Sequence, residues 1–501
     1  MLLRSSISLS ALAVALGATG CSSAPTEPAP AETASHAASP TEAERVQAFL
    51  DARYTAADVR HSYVTALGQT VDCVDFFATR GVRDMAARGT PITSIPQAPA
   101  SPVRKRRDGT TIVDPPQPAP MSEGVDDAGH ERLCPAGTVT KIRLSPERIA
   151  RAGGLDAYVA SRKKHAPPSV PHHGDEAPQG SMWPCGSGGE FPEYAHVLGD
   201  VVDNSPGVAY ASTEMSVYAP TISSGGHSLA QFWLFGGTIA SAACSPGTCV
   251  QSIELGWEVL PGVDLPNGGV TDGVDPYVFT YSTLDGYNST GCYDDVGGDP
   301  GSCTPFVPLA GLPSSVSPGA RIAYNAPQSA ASVAPVEMTA LAILIAGDYW
   351  VQVSVGGGQR YYIGYYPSSY FAEPMATFQV GGEAGDTDGF VNRNIEMGTG
   401  LPPTDGYGWA AYHHDFGATT YLNDVENNYW GASSMCASVP PGYSVPDVPP
   451  YAYSTTPAPG SSSWDGYFYF GGNPTCVQTT CSFFFHWDAD VCACVRNFIR
   501  Y

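Results

Sequence analysis

Beyond residue 190 the chain alternates apolar and polar residues in short runs, each closed by Gly, Pro, Ser or Asp. A period of two marks a β-strand that buries one face. The alternation predicts strands at Tyr210 to Tyr218, Leu229 to Phe235, Val250 to Val259, Val278 to Thr283, Arg321 to Tyr324, Thr339 to Val355, Arg360 to Tyr366 and Ala376 to Val380. The densest apolar run, Met338 to Ala346, is too short to cross a bilayer and reads as a buried strand. Helical spacing is confined to the N-terminal part. Thr41-Glu-Ala-Glu44 has the form of a capping box, with Val46, Phe49, Leu50 and Tyr54 following at helical intervals. Ser145-Pro146 opens a second short helix that Gly153-Gly154 breaks. The expected fold is all-β: an antiparallel β-sandwich domain preceded by a small mixed, α-containing segment.

One strand carries candidate chemistry. In Gln251 to Pro261, Ile253, Leu255 and Trp257 point one way, and Ser252, Glu254 and Gly256 the other. Glu254 thus stands opposite the core between two small residues, where a carboxylate is reachable. Glu383, in Phe378-Gln-Val-Gly-Gly-Glu-Ala384, has the same setting. Each alone is more often a solvated strand residue than a catalyst, because Glu is mostly exposed. Gln231 and Trp233 share one face of their strand.

Other chemistries find no support. No Gly-x-Ser-x-Gly elbow, His-Glu-x-x-His helix or phosphate-cradling loop occurs. His413-His414-Asp415 could suggest a metal site or a triad fragment, but its Gly-rich surroundings read as an exposed loop. Cys492-Ala-Cys494 lacks a second ligand pair at zinc spacing. No metal or organic cofactor is expected.

Charge sharpens the division of the chain. Of 24 Lys+Arg, only five, all Arg, lie beyond residue 165, against 31 of the 48 Asp+Glu. That region has a formal charge of −26 and no lysine at all. Such a surface repels nucleic acid and anionic lipid, and it suits acid conditions, in which protonation relieves the repulsion. The slightly basic N-terminal part would be drawn to it.

Residues 1–20 read as an export signal with Arg4 ahead of an apolar core. Gly20-Cys21-Ser22 resembles a lipobox, so Cys21 is the candidate for lipidation and membrane anchoring. The expected location is a bacterial cell envelope or the outside. Thirteen cysteines minus Cys21 leave twelve for an oxidising compartment. Local spacing suggests Cys244–Cys249 and Cys292–Cys303; the pairing of Cys73, Cys134, Cys185, Cys481, Cys492 and Cys494 stays open. Residues 21–40 form a flexible tether. Arg104-Lys-Arg-Arg107 is a candidate processing site, although a solvated charge run is the commoner reading. The Pro/Gly/His-rich residues 165–189 form a linker whose His165, His172 and His173 titrate near pH 6.

Six stretches occur in a fixed order: Ser228-Leu-Ala-Gln-Phe-Trp-Leu-Phe-Gly-Gly237, Ser252-Ile-Glu-Leu-Gly-Trp257, Phe279-Thr-Tyr-Ser-Thr-Leu-Asp-Gly-Tyr287 with Thr290-Gly-Cys-Tyr293, Tyr362-Ile-Gly-Tyr-Tyr-Pro367, Gly381-Gly-Glu383 and Met397-Gly-Thr-Gly400. The series resembles the neprosin family of glutamic endopeptidases, from about Tyr194 to Cys476. The resemblance implies a catalytic pair at Glu254 and Glu383, with Gln231, Trp233 and Tyr281 as candidates for substrate contacts. It further implies a Cys436–Cys476 disulfide, and cleavage of protein or peptide substrates, after proline. Val380 stands where many members carry Trp. Asp72-Cys-Val-Asp-Phe-Phe77 and Cys134-Pro-Ala-Gly-Thr138 resemble the activation peptide that precedes this domain, so residues 41–164 would be an inhibitory prosegment, 190–476 the enzyme and 477–501 a Cys-containing tail. Paired carboxylates on a sandwich also serve glycoside hydrolases, and a non-catalytic adhesion or binding module is a second alternative.

Overall fold

The computed structural model describes residues 40–100, 103–105, 111–113, 124–125, 131–132, 134–160, 162, 164, 194–202, 207–222, 226–236, 250–260, 275–287, 291–294, 296–297, 306–326, 334–371, 373–386, 395–420, 428–430, 434–437, 452–454, 464, 466–472, 485–488 and 493–496. The export signal, Cys21, the 165–189 linker, Cys244, Cys249, Cys303 and Cys476 lie outside the described residues, as does the side chain of Cys436.

Two antiparallel sheets dominate. The first runs Val296–Gly297, Cys292–Tyr293, Tyr277–Thr283, Ser252–Val259, Gly226–Gly236, Met375–Asp386, Tyr194–Val202, Ser434–Ala437. The second runs Val307–Pro308, Tyr361–Pro367, Asp348–Val355, Glu337–Ile345, Tyr210–Ser216, Ala411–Thr419, Tyr467–Gly471, Ala452–Ser454, with Asn428–Trp430 beside Ala411–Thr419. Alternation decides which side chains lie between them. Phe232 and Leu234, Ile253, Leu255 and Trp257, and Phe378 and Val380 point from the first sheet into one core with Met215, Met338, Val351, Val353, Phe468 and Phe470. Val380 therefore fills the core. Trp257 crosses it, and its indole N–H donates to the Ser216 carbonyl at 2.8 Å.

Several expectations are corrected. Thr339 to Val355 is not one strand but the hairpin of Glu337–Ile345 and Asp348–Val355. Ala346 (φ 53°) and Gly347 (φ 90°) form its two-residue loop, and left-handed φ at both positions matches the right-handed strand twist. Arg321 makes only an isolated bridge to Tyr277. His413-His414-Asp415 is not an exposed loop: it lies in the strand Ala411–Thr419, with His413 and His414 buried. His413 Nδ1 lies 2.9 Å from Thr213 Oγ1 and its Nε2 3.1 Å from the Gly381 carbonyl. Burial pushes its pKa down to about 3, so a neutral imidazole donates to Gly381 and ties the two sheets together.

The N-terminal segment contributes the helix Glu42–Arg53, a sheet of Val59–Val64, Thr70–Asp75 and Thr138–Ile142, and helices Pro146–Arg151 and Leu155–Ala160. Ser145 caps Pro146–Arg151 by accepting from the Arg148 N–H, as its spacing predicts. Cys73 and Cys134 form a disulfide, and Cys292 is disulfide-bonded. The segment packs on the sandwich mainly through neutral contacts. Phe76, Val82, Met85 and Val139 join the main core. The Gln69 amide donates to the Gly319 carbonyl and accepts from the Arg321 N–H. A Cβ on Gly81 would fall 1.8 Å from the Phe306 carbonyl oxygen, so only glycine permits this approach.

Candidate active site

The outward face of the first sheet is not solvated. Leu198, Leu229, Trp233, Tyr277, Phe279, Tyr281, Tyr287 and Tyr293 form a second apolar cluster there, and Glu254 and Glu383 stand among them, both fully buried. The expectation of an accessible Glu254 is thus corrected: the face is covered.

Register places the pair. Trp233, on Gly226–Gly236, pairs with Glu254 on one side, and Leu229 pairs with Glu383 on the other. Gln231 lies between these rows, flanked by Gly256 and Gly381. A Cβ at Gly256 would approach the Ala230 carbonyl oxygen to 2.0 Å, and one at Gly381 the Val197 carbonyl oxygen to 1.9 Å. Both positions require glycine, and the Gln231 row is left without neighbouring side chains on those two strands. Gln231 thus stands in the row between the two carboxylates.

Each carboxylate has its own partners. Glu254 Oε1 accepts from the Tyr287 hydroxyl and from Ser252 Oγ at 3.0 Å. Glu383 lies 2.8 Å from His227 Nε2 through Oε1 and 3.2 Å from His196 Nε2 through Oε2. The remaining oxygen of Glu254 is taken by the N-terminal segment: Lys164 Nζ donates to Glu254 Oε2 at 2.7 Å and to Gln231 Oε1 at 2.9 Å. The ammonium also lies 4.7 Å from the centroid of the Phe279 ring. Two residues earlier, Arg162 is buried against Tyr277, Tyr293 and Asp294.

These contacts set the electrostatics. Burial opposes ionisation of Glu383, but Lys164, His196 and His227 outweigh it and hold the carboxyl well below its usual range. Burial likewise opposes a charged Lys164, yet Glu254, Glu383 and Glu258 raise its pKa. Burial raises Glu258, a third carboxylate on this face.

The structure therefore brings Glu254, Glu383, Gln231, Trp233 and Tyr281 onto one face. Lys164, Arg162, His196, His227, Glu258 and Asp294 were not singled out from sequence. Glu258 was legible, since it lies four residues beyond Glu254 on the same strand face; Lys164 had only the signal of being the last lysine in the chain. Among the described residues one group has metal-ligand proximity: Glu214, His414 and Asp415. Although burial works against it, hydrogen bonds to Asp415 and Glu337 raise His414 to about 9, and Arg360 already pairs with Glu214 at 3.0 Å. In this structure the group forms a network of ion pairs and hydrogen bonds.

Residues 224–473 match the family model described as neprosin. Among solved structures, the chain resembles Scytalido-glutamic peptidase with a peptide-based transition state analogue, at 7% identity and a TM-score of 0.26, covering 56% of this chain and 98% of that one. It also resembles SCP-B, a member of the eqolisin family of peptidases in complex with the tripeptide Ala-Ile-His, at 6% identity and a TM-score of 0.25, with the same coverages. TM-scores this low set no residue equivalences.

Proposed function

Because the chain belongs to the neprosin family and is a glutamic peptidase, we propose that Glu254 and Glu383 are its catalytic pair and that residues 41–164 hold it latent as a zymogen. The observation that carries this reading is Lys164, a buried ammonium bonded to both Glu254 and Gln231. It occupies the place where a reacting peptide would sit. The glycosidase and adhesion alternatives are set aside by the family.

In the open enzyme Glu383 is the base. Its carboxylate, held by His196 and His227, takes a proton from water as the water oxygen attacks the peptide carbonyl. Glu254 acts as the acid once Lys164 has left and donates to the developing oxyanion. The Gln231 Nε2, which has no hydrogen-bond partner among the described residues, supplies a second donor. Collapse of the tetrahedral intermediate breaks the C–N bond. Glu254 then delivers its proton to the leaving amine, and Glu383 returns its own to the Glu254 carboxylate through solvent. Tyr281 and Tyr287, stacked at 5.8 Å, offer an aromatic wall suited to a proline ring, in keeping with cleavage after proline. The export signal and lipidation of Cys21 complete the proposal of an envelope-anchored or secreted enzyme.

The test incubates purified full-length chain at pH 3–5 with casein, beside Glu254→Gln and Glu383→Gln. Wild type should cleave casein and shorten itself to a form beginning between Ser169 and Gly180. Activity surviving in both variants would sink the pair.

A further inference from the structure

Arg162 is buried beside the outward face of the first sheet, its side chain 7% exposed. Its guanidinium carbon lies 4.7 Å from the centroid of the Tyr293 ring and 5.9 Å from that of Tyr277. Nη1 is 3.4 Å from the Tyr277 hydroxyl and 3.8 Å from Asp294 Oδ2. Behind Tyr277, whose hydroxyl donates to it at 3.3 Å, lies Glu258. Tyr277, Tyr293, Glu258 and Asp294 all belong to the peptidase; Tyr158, 5.2 Å from the guanidinium carbon, and Arg148, which faces Asp294, come from the N-terminal segment and would leave with it. What remains is a recess of two aromatic rings, the buried Glu258 carboxylate and the Asp294 carboxylate, 10% exposed. That is the environment a planar guanidinium selects. Glu258 is four residues from Glu254 on one strand face, about 13 Å of strand. Residues 162 and 164 alternate in the same way, sending Arg162 into the recess and Lys164 onto Glu254 and Gln231.

Building on the peptidase reading, we propose that the Arg162 recess is a substrate subsite for an arginine side chain within three residues of the bond that is cut. The N-terminal segment occupies it as a substrate would. Asp294 is faced by Arg162, Glu258, Arg148 and the Thr280 N–H.

Two measurements decide it. In the first, acid-treated full-length enzyme is given peptides identical except for arginine or neutral citrulline at each of three positions on either side of the scissile bond. Arginine should raise kcat/KM by at least about tenfold at one position, and Asp294→Asn should bring that ratio close to one. Equal rates at every position, or a ratio unchanged by Asp294→Asn, overturn the subsite. The second needs no catalysis: agmatine is added to the full-length Arg162→Ala chain and its melting temperature followed. A rise absent from wild type, and from Arg162→Ala with Asp294→Asn, supports a guanidinium site, and no rise overturns it. If no peptide is cleaved but agmatine stabilises the variant, the peptidase reading has failed and the recess stands as a guanidinium-binding site alone.

Discussion

Replacing Lys164 by Met keeps most of the side chain and removes the charge, so it isolates what the ammonium does in the covered form. Wild type has Glu254 bonded to Lys164 and Glu383 in its field. Removing one partner of a buried pair costs about 3–5 kcal/mol, because the other charge is stranded. The carboxylates recover part of that by taking a proton, so the lower end, about 3 kcal/mol, is the appropriate figure here. The loss falls only on the covered form, since in the open form both carboxylates meet water. The ratio of open to covered chain should therefore rise by about a hundredfold at pH 6. The assay is the initial rate on a quenched fluorescent peptide, with electrophoresis confirming that the chain is still full-length. Wild type should be close to silent, and Lys164→Met should be faster by about two orders of magnitude. Arg162→Ala added to Lys164→Met should open the cleft further, since the second cation is then lost as well. If both variants are as silent as wild type while remaining folded, and acid treatment activates all three equally, Lys164 does not hold the enzyme latent.

The remaining predictions concern chemistry, pH and the covalent frame. Glu254→Gln and Glu383→Gln should each abolish peptide hydrolysis with melting intact, and either variant retaining more than a few per cent of the rate removes that residue from the pair. The full-length chain should be most stable near pH 5. Glu383 is held below its unfolded value, so its contribution is complete above the unfolded carboxyl pKa and is lost as pH falls through its folded value. Asp294, raised to about 7, has the opposite sign: its protonated form favours the fold, and that contribution is lost as pH rises towards 7. Melting curves from pH 3 to 8 should show both limbs, with Glu383→Gln flattening the acid one and Asp294→Asn the neutral one. Cys73→Ala with Cys134→Ala opens a loop of 61 residues, which should cost the N-terminal segment about 4 kcal/mol by chain entropy; unchanged chemical denaturation would contradict this.

The sandwich was legible because the chain states it locally. Ile253, Leu255 and Trp257 alternate with Ser252, Glu254 and Gly256, and the structure divides them between core and cleft as the period requires. The failures have equally local causes. Ala346-Gly347 carries none of the Asn or Asp that usually announces a two-residue hairpin, so two strands read as one. His413-His414-Asp415 reads as polar and exposed, because nothing nearby in sequence announces Thr213, the Gly381 carbonyl or Glu337, which satisfy its histidines.

Glu254 shows what alternation cannot supply. The pattern put its carboxylate outside the core, which is right, and implied contact with water, which is wrong in this form. A strand's period distinguishes one face from the other but does not say what lies on the second face. Here the cover comes from ninety residues upstream, as one lysine on Glu254 and one arginine beside Asp294. Charge counting anticipated an attraction between a basic segment and an acidic domain. The structure concentrates that attraction at the cleft in Arg162 and Lys164, while neutral packing through Phe76, Val82 and Gln69 holds the rest. The arrangement separates two tasks. Neutral contacts fix where the segment docks at any pH, and Lys164 makes its hold on this face depend on the ionisation of Glu254 and Glu383. Protonating those carboxylates weakens the cover and supplies the acid that hydrolysis needs, so the titration that would release the segment is also the one that would arm the pair.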